Sequence, residues 1–190
     1  MSRFCTRALA PADRASFAEF ERNNREPFEQ FNEPHPDRHY SDAGLEIAFD
    51  KLIERQDSER FLTRVITRVD SPQWVGKGSL TLHSNSSRDG DFAMLVYQTD
   101  QQHWKQGAAG FLVADLIQEA RVLGLFRVDA LIASDNLVSL HLLRRAGFKA
   151  AGWATPAALR RGQINCLRLS RPLGRVVGPT LARAHMHLPA

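Results

Sequence analysis

Residues 104–110 read Trp104-Lys105-Gln106-Gly107-Ala108-Ala109-Gly110, a stretch of small side chains that opens a helical run. A loop that turns into a helix leaves several amide hydrogens without intrahelical partners, and the positive end of the helix dipole lies at the same point. Together they form an anion site, and small residues at Gly107, Ala108 and Ala109 let a phosphate reach the main chain itself. Lys105 adds a positive charge. Small residues at a helix start also serve packing and capping, so this segment does not decide the matter alone. Asp100, His103 and Glu26 are the side chains that could relay a proton through water, with a solvated loop role as the plain alternative for the first two. His185 and His187 flank Met186, but no third metal ligand accompanies them, and a tail is the better reading. Cys5 and Cys166 lie far apart, with neither metal-ligand spacing nor a disulfide framework, which points to a reducing cytosol. Neither is near residues 104–110 in sequence, which argues against an acyl group carried on cysteine.

The loop needs a strand before it and a helix after it. Phe92 to Gln98 reads as that strand, and Phe111, Leu112, Leu116, Ala120 and Leu123 recur near helical spacing until Gly124 stops the helix. Phe126 to Ile132 is a mostly apolar strand of the kind buried on both faces, followed by a helix over 136–146 that ends at Gly147. Upstream, Arg7 to Leu9 reads as a short edge strand. Phe17, Phe20 and Phe28 mark an amphipathic helix interrupted before Pro27, and residues 32–41 read as loop. Ala43 to Glu54 forms a second helix. Two more strands follow, Phe61 to Val69, ended by Ser71-Pro72, and Trp74 to Leu82, with a turn cluster at residues 85–90. Phe148 begins a strand again, and Leu159 to Leu169 supplies a hairpin around Arg161-Gly162. An antiparallel run followed by strand, helix, strand, helix, strand describes an α+β domain with one parallel crossover. Residues 1–172 make that domain, and 173–190 read as a C-terminal tail, partly helical at most.

The composition narrows the class. With 190 residues and 43% hydrophobic side chains, the chain suffices for one domain with a real core. It has no run of about 20 apolar residues for a membrane helix, and its first residues lack the apolar region of a secretory signal. A cytoplasmic protein without a membrane partner is expected. The net charge of +4 is too mild to argue for nucleic acid and suits an enzyme that holds an anionic cofactor.

The ordered set from Tyr97 to Phe148 resembles the GNAT acetyltransferase superfamily, whose acetyl-CoA loop has the form Arg/Gln-x-x-Gly-x-Gly/Ala before a helix. Gly107 and Ala109 fill the two small positions, while Trp104 stands at the first. Trp104, Asn24-Arg25, Tyr97 with Asp100, Asn136 with Ser139, Ala146-Gly147-Phe148, Gly152-Trp153 and Arg161-Gly162-Gln163 are similar to the RimJ/RimL type, which acetylates N-terminal alanine or serine of ribosomal proteins. The likeness covers about Arg7 to Ser170. It implies a mixed, mostly antiparallel sheet with two N-terminal helices and a βαβ core, opened by a V-shaped gap between its central strands.

It also implies roles. The main-chain amides of Trp104, Lys105, Gln106, Gly107, Ala108, Ala109 and Gly110 would hold the coenzyme A diphosphate. Tyr97, Gln98 and Thr99 would pair with the pantetheine arm, one amide there facing the thioester carbonyl. Asn136 would contact that arm, although it could as well cap its helix, and Tyr97 could as well be core. Two familiar groups are missing: Leu143 stands where many relatives carry a tyrosine general acid, and Met94 where many carry an acidic residue. Ser139 is then the remaining hydroxyl for the sulfur, with a plain helix-surface or core hydroxyl as the alternative. No metal is implied.

Such a stripped site suits an α-amine. An α-amine titrates near 7.7–8.0, so about a tenth is neutral at pH 7, whereas lysine near 10.4 is neutral less than about one time in a thousand. The expected acceptor is a protein or peptide N-terminus, with ribosome association possible and a monomer or homodimer as the assembly. A free small amine, or a catalytically quiet acyl-CoA-binding module, is the alternative. Arg160, Arg161, Arg168 and Arg171 could contact RNA or form a solvated hairpin face.

Overall fold

The computed structural model describes residues 3–84, 90–159 and 162–174. The chain-order elements are β1 (Phe4–Ala8), α1 (Arg14–Asn23), α2 (Arg25–Glu29), α3 (Asp42–Gln56), β2 (Phe61–Arg68), β3 (Ser71–His83), β4 (Phe92–Thr99), α4 (Ala108–Val122), β5 (Arg127–Ala133), α5 (Leu137–Arg145), β6 (Lys149–Leu159) and β7 (Gly162–Pro172). One seven-stranded sheet has the order β1-β2-β3-β4-β5-β7-β6, antiparallel throughout except for the β4–β5 pair. This is the expected α+β GNAT architecture.

Each face of the sheet has its own core. Leu80, Ala93, Leu95, Val128, Ala130 and Leu169 meet α4 and α5 through Leu112, Val113, Leu116, Leu140 and Leu143. The other face is covered near β2 and β3 by α1, α2 and α3, where Phe17, Phe20, Phe28, Leu45 and Phe49 surround Val65 and Trp74. Val65 and Ile66 are adjacent and fully buried, as a strand covered on both faces requires. Gly78 sets how closely α4 can lie, because a Cβ there would stand 2.7 Å from Leu116 Cδ1. Arg64 on β2 fixes the same helix by an ion pair with Glu119 at 2.6 Å.

Several local expectations are corrected. The first strand spans Phe4–Ala8 rather than Arg7 to Leu9, and residues 37–40 of the expected loop form a 3-10 turn. Ser71-Pro72 begins β3 instead of ending β2. Pairing with β4 starts only at Gly76, so no ladder bond on that side is lost to the proline nitrogen at position 72. The first helical region breaks at Asn24, which is fully buried and uses its side chain elsewhere. Arg160, Arg161, the turn cluster at 85–89 and the tail from residue 175 onward, with His185 and His187, lie outside the described residues.

Candidate active site

β4 and β5 pair over only three positions, Phe92 with Arg127, Ala93 with Val128 and Met94 with Asp129. Beyond Met94 the two strands diverge. β3 keeps β4 in register as far as Thr99, while β7 keeps β5 in register as far as Ala133. One edge of Leu95–Thr99 is therefore left without a strand partner, and a wedge opens at the centre of the sheet.

The loop leaving β4 is held at both ends. Asp100, only 6% exposed, receives the Gln102 amide hydrogen at 2.8 Å, and its own amide donates to the Val75 carbonyl. Asn24 accepts the Gln101 amide at 3.0 Å and donates to the Phe20 carbonyl, so the break between α1 and α2 is tied to this loop. The Trp104 indole donates to the Thr99 carbonyl at 3.0 Å, which folds the half-exposed ring back on the strand end and satisfies that carbonyl within the chain.

Next the main chain turns twice through the left-handed region, at Lys105 (φ 61°) and at Gly107 (φ 90°). Among the described residues Lys105 is the sole non-glycine there, a conformation that costs about 1–2 kcal/mol. Gly107 caps α4 without a side chain, so the first amides of the helix, at Ala108, Ala109 and Gly110, are left for an external acceptor. A Cβ on Gly107 or Gly110 would meet nothing within 4 Å, so the space over these amides is open. Open space, bare amides, the dipole of a 15-residue helix and Lys105 suit a diphosphate, so the residues present fit coenzyme A. The Ala108 methyl is buried in the core, which leaves its main-chain amide as the group expected at the cradle.

On the other wall, Asn136 caps α5 by accepting the Ser139 amide at 3.1 Å. The helix-cap reading of Asn136 thus holds, and it fixes the turn that carries Ser139. Tyr97 points to the same face of the sheet as α4 and α5. Its hydroxyl is buried and makes no well-formed hydrogen bond. Burial pushes its pKa up, and the nearby Ser139 hydroxyl offsets part of that rise. Leu143 is fully buried in the core that Tyr97 packs against, so the position of the missing tyrosine is occupied by packing. Gln98 lies on the opposite face, in register with Lys77.

Glu26 is exposed on α2 and His103 is half-buried with an unpartnered Nδ1. Asp129 was missed by sequence reasoning. It is 1% exposed, in register with Met94 at the floor of the wedge, and bonded through Oδ2 to Arg127 Nε at 3.2 Å. Its Oδ1 is buried without a partner. A carboxylate is therefore present after all, one strand over from Met94, and a charge inside the apolar run from Phe126 to Ile132 was its signal. Cys166, distant in sequence, is in register with Ala133 at the end of β5, but its thiol is buried and turned toward the Ile164 carbonyl. Among the described residues no group of three or more His, Cys, Asp or Glu could hold a metal ion, and no helix is long and apolar enough to cross a membrane.

Solved structures share this architecture. The chain resembles a ribosomal-protein-S5-alanine acetyltransferase from Vibrio fischeri (TM-score 0.80, 16% identity, 90% of this chain and 94% of that one). It also resembles Mycobacterium smegmatis RimJ in complex with a CoA-disulfide (TM-score 0.77, 15% identity, 90% and 82%). A third is a Vibrio cholerae spermidine N-acetyltransferase in complex with CoA and spermine (TM-score 0.73, 20% identity, 90% and 96%). No curated protein sequence matches the chain. The family description "Acetyltransferase (GNAT) domain" matches residues 3–149. That match takes in the strands that part, the loop and the helix it opens, and on it the chain belongs to the GNAT family of acetyltransferases.

Proposed function

We propose that the protein transfers the acetyl group of acetyl-CoA directly to the α-amine of a protein or peptide N-terminus. The observation that carries this reading is the wedge between β4 and β5, with the bare amides of α4 at its mouth. The amides of residues 104–110 would hold the diphosphate, and Tyr97, Gln98 and Thr99 on the free edge of β4 would hold the extended arm. Acetyl-CoA supplies an activated acyl group whose thiolate leaves when nitrogen attacks. Main-chain donors on the β4 edge favour the charge developing on the carbonyl oxygen, and Ser139 donates to the sulfur.

The acceptor follows from the missing acid/base groups. An α-amine is already neutral in about a tenth of molecules at pH 7, so water or a weak carboxylate suffices as base. One of the fold relatives named above is by its description an acetyltransferase of a ribosomal protein, which supports a ribosomal N-terminus and a cytoplasmic setting for this chain as well. The spermidine enzyme keeps a small amine as the second reading. Incubating the protein with acetyl-CoA and a panel of N-terminal peptides, lysine peptides and polyamines, and following free coenzyme A, tests this. Release with N-terminal peptides is expected. Release with polyamines alone would overturn the acceptor, and no release with tight acetyl-CoA binding would leave a quiet binding module.

A further inference from the structure

A cleft of about 350 Å³ lies outside the wedge, on the side of β4 away from β5. α1 forms one wall with Ser16, Glu19 and Asn23, and the start of β3 forms the other with Ser71 and Gln73. Asp100 lines it where the loop after β4 begins. Phe20 and Trp74 line it too, their ring centroids 5.8 Å apart. The Trp74 indole N–H is already given to Asp13, so these rings offer the cleft apolar surface. Glu19 and Asp100 bring two carboxylates, and among the described residues no Lys, Arg or His lines the space. The C-terminal end of α1 at Asn23 adds the negative pole of the helix dipole. Arg22, the basic residue of that last turn, does not compensate, because its guanidinium goes to Asp42 and the Tyr40 carbonyl at the start of α3.

We infer that this cleft takes a small organic cation with N–H donors, an alkylammonium or alkylguanidinium, and that its occupation tightens the hold on coenzyme A. The first part follows from the lining. Two carboxylates, a helix C-terminus and neutral hydroxyl and amide groups accept N–H donors, while the rings receive a short alkyl chain and favour a nearby cation. The second part rests on the cradle reading of residues 104–110 and extends it. Asp100 is the only acidic residue between Thr99 and Ala114. It also heads the segment that leads to the cradle. Its amide binds the Val75 carbonyl, its carboxylate holds the Gln102 amide, and its carbonyl receives the His103 amide hydrogen at 2.9 Å. A cation beside Asp100 offsets the one negative charge of this stretch and fixes the turn that leads to Lys105 and Gly107. Both effects favour an anion on the amides beyond, and by linkage coenzyme A must tighten the cation in equal measure. The cleft shares no residue with Tyr97, Gln98, Thr99 or α5, so the cation is an effector and not the acyl acceptor.

Butylguanidinium is the probe, because it carries the charge and the N–H donors while its delocalised nitrogens make a poor acyl acceptor. Butylurea is its neutral counterpart. Titration calorimetry on the full chain should give butylguanidinium a Kd of about 1 mM or tighter, and butylurea no measurable binding. With the probe saturating, affinity for coenzyme A should rise about fivefold, and coenzyme A should raise affinity for the probe by the same factor. Glu19 is exposed on α1, so Glu19→Gln should leave the fold and the affinity for coenzyme A alone unchanged. It should weaken the probe by about tenfold. Ser16→Trp fills the cleft and should abolish both probe binding and the coupling, with circular dichroism reporting the fold. No binding of butylguanidinium, equal binding of butylurea, or binding unchanged in both variants overturns the cleft as a cation site. Probe binding that leaves coenzyme A affinity unmoved overturns the coupling. A wild-type chain that binds no coenzyme A overturns the cradle reading instead, while the direct probe titration still decides the cleft.

Discussion

The two ends of the wedge are built in opposite ways. At the mouth of α4 the proposed binding groups belong to one continuous segment, residues 104–110, and are main-chain hydrogens whose direction follows from two left-handed turns and a helix start. Deeper in, the proposed working groups are side chains from β4 and α5, far apart in sequence, on the two walls that form because two strands diverge and a capped helix follows one of them. A site made of backbone depends on what is kept small. A site made of side chains depends on what surrounds them.

Breaking the first end should have the largest effect. Ala109→Glu places a carboxylate where the diphosphate is proposed to rest, and a like-charge contact of this kind costs several kcal/mol. Titration calorimetry should show acetyl-CoA affinity falling by more than about 100-fold, with an unchanged circular dichroism spectrum. Retained affinity would mean the diphosphate lies elsewhere. Leu143→Ala acts on packing alone. It should cost about 2–5 kcal/mol in urea unfolding while leaving coenzyme A binding intact. A specific loss of kcat at full stability would instead show that this position still serves the chemistry.

Smaller changes sharpen the contrast. Gly107→Ala has room for its methyl, but the left-handed backbone makes it cost about 1 kcal/mol. Its loss should appear equally in stability and in acetyl-CoA affinity, since the bend is what aims the amides. Asn136→Ala removes the cap on α5 and should cost about 1 kcal/mol in unfolding. Because the cap holds the turn bearing Ser139, kcat should fall while KM for acetyl-CoA stays. If KM rises instead, Asn136 touches the cofactor arm itself.

The sequence by itself determined the order of the elements, the small-residue start of α4 and the family likeness. These are local: apolar spacing reports a helix or strand, and a helix that begins on Gly107 leaves its first amides free wherever it sits. Tertiary structure decided what depended on neighbours. Pro72 reads as a stop until β4 is seen to begin pairing only at Gly76. Asp129 reads as part of an apolar strand until its register with Met94 sets it at the floor of the wedge. Tyr97 and α5 are unrelated by any spacing, and only the fold packs the Tyr97 ring against the core that Leu140 and Leu143 help to form. Main-chain geometry is written in short stretches of sequence, whereas a pairing of distant side chains exists only once the sheet has chosen its register.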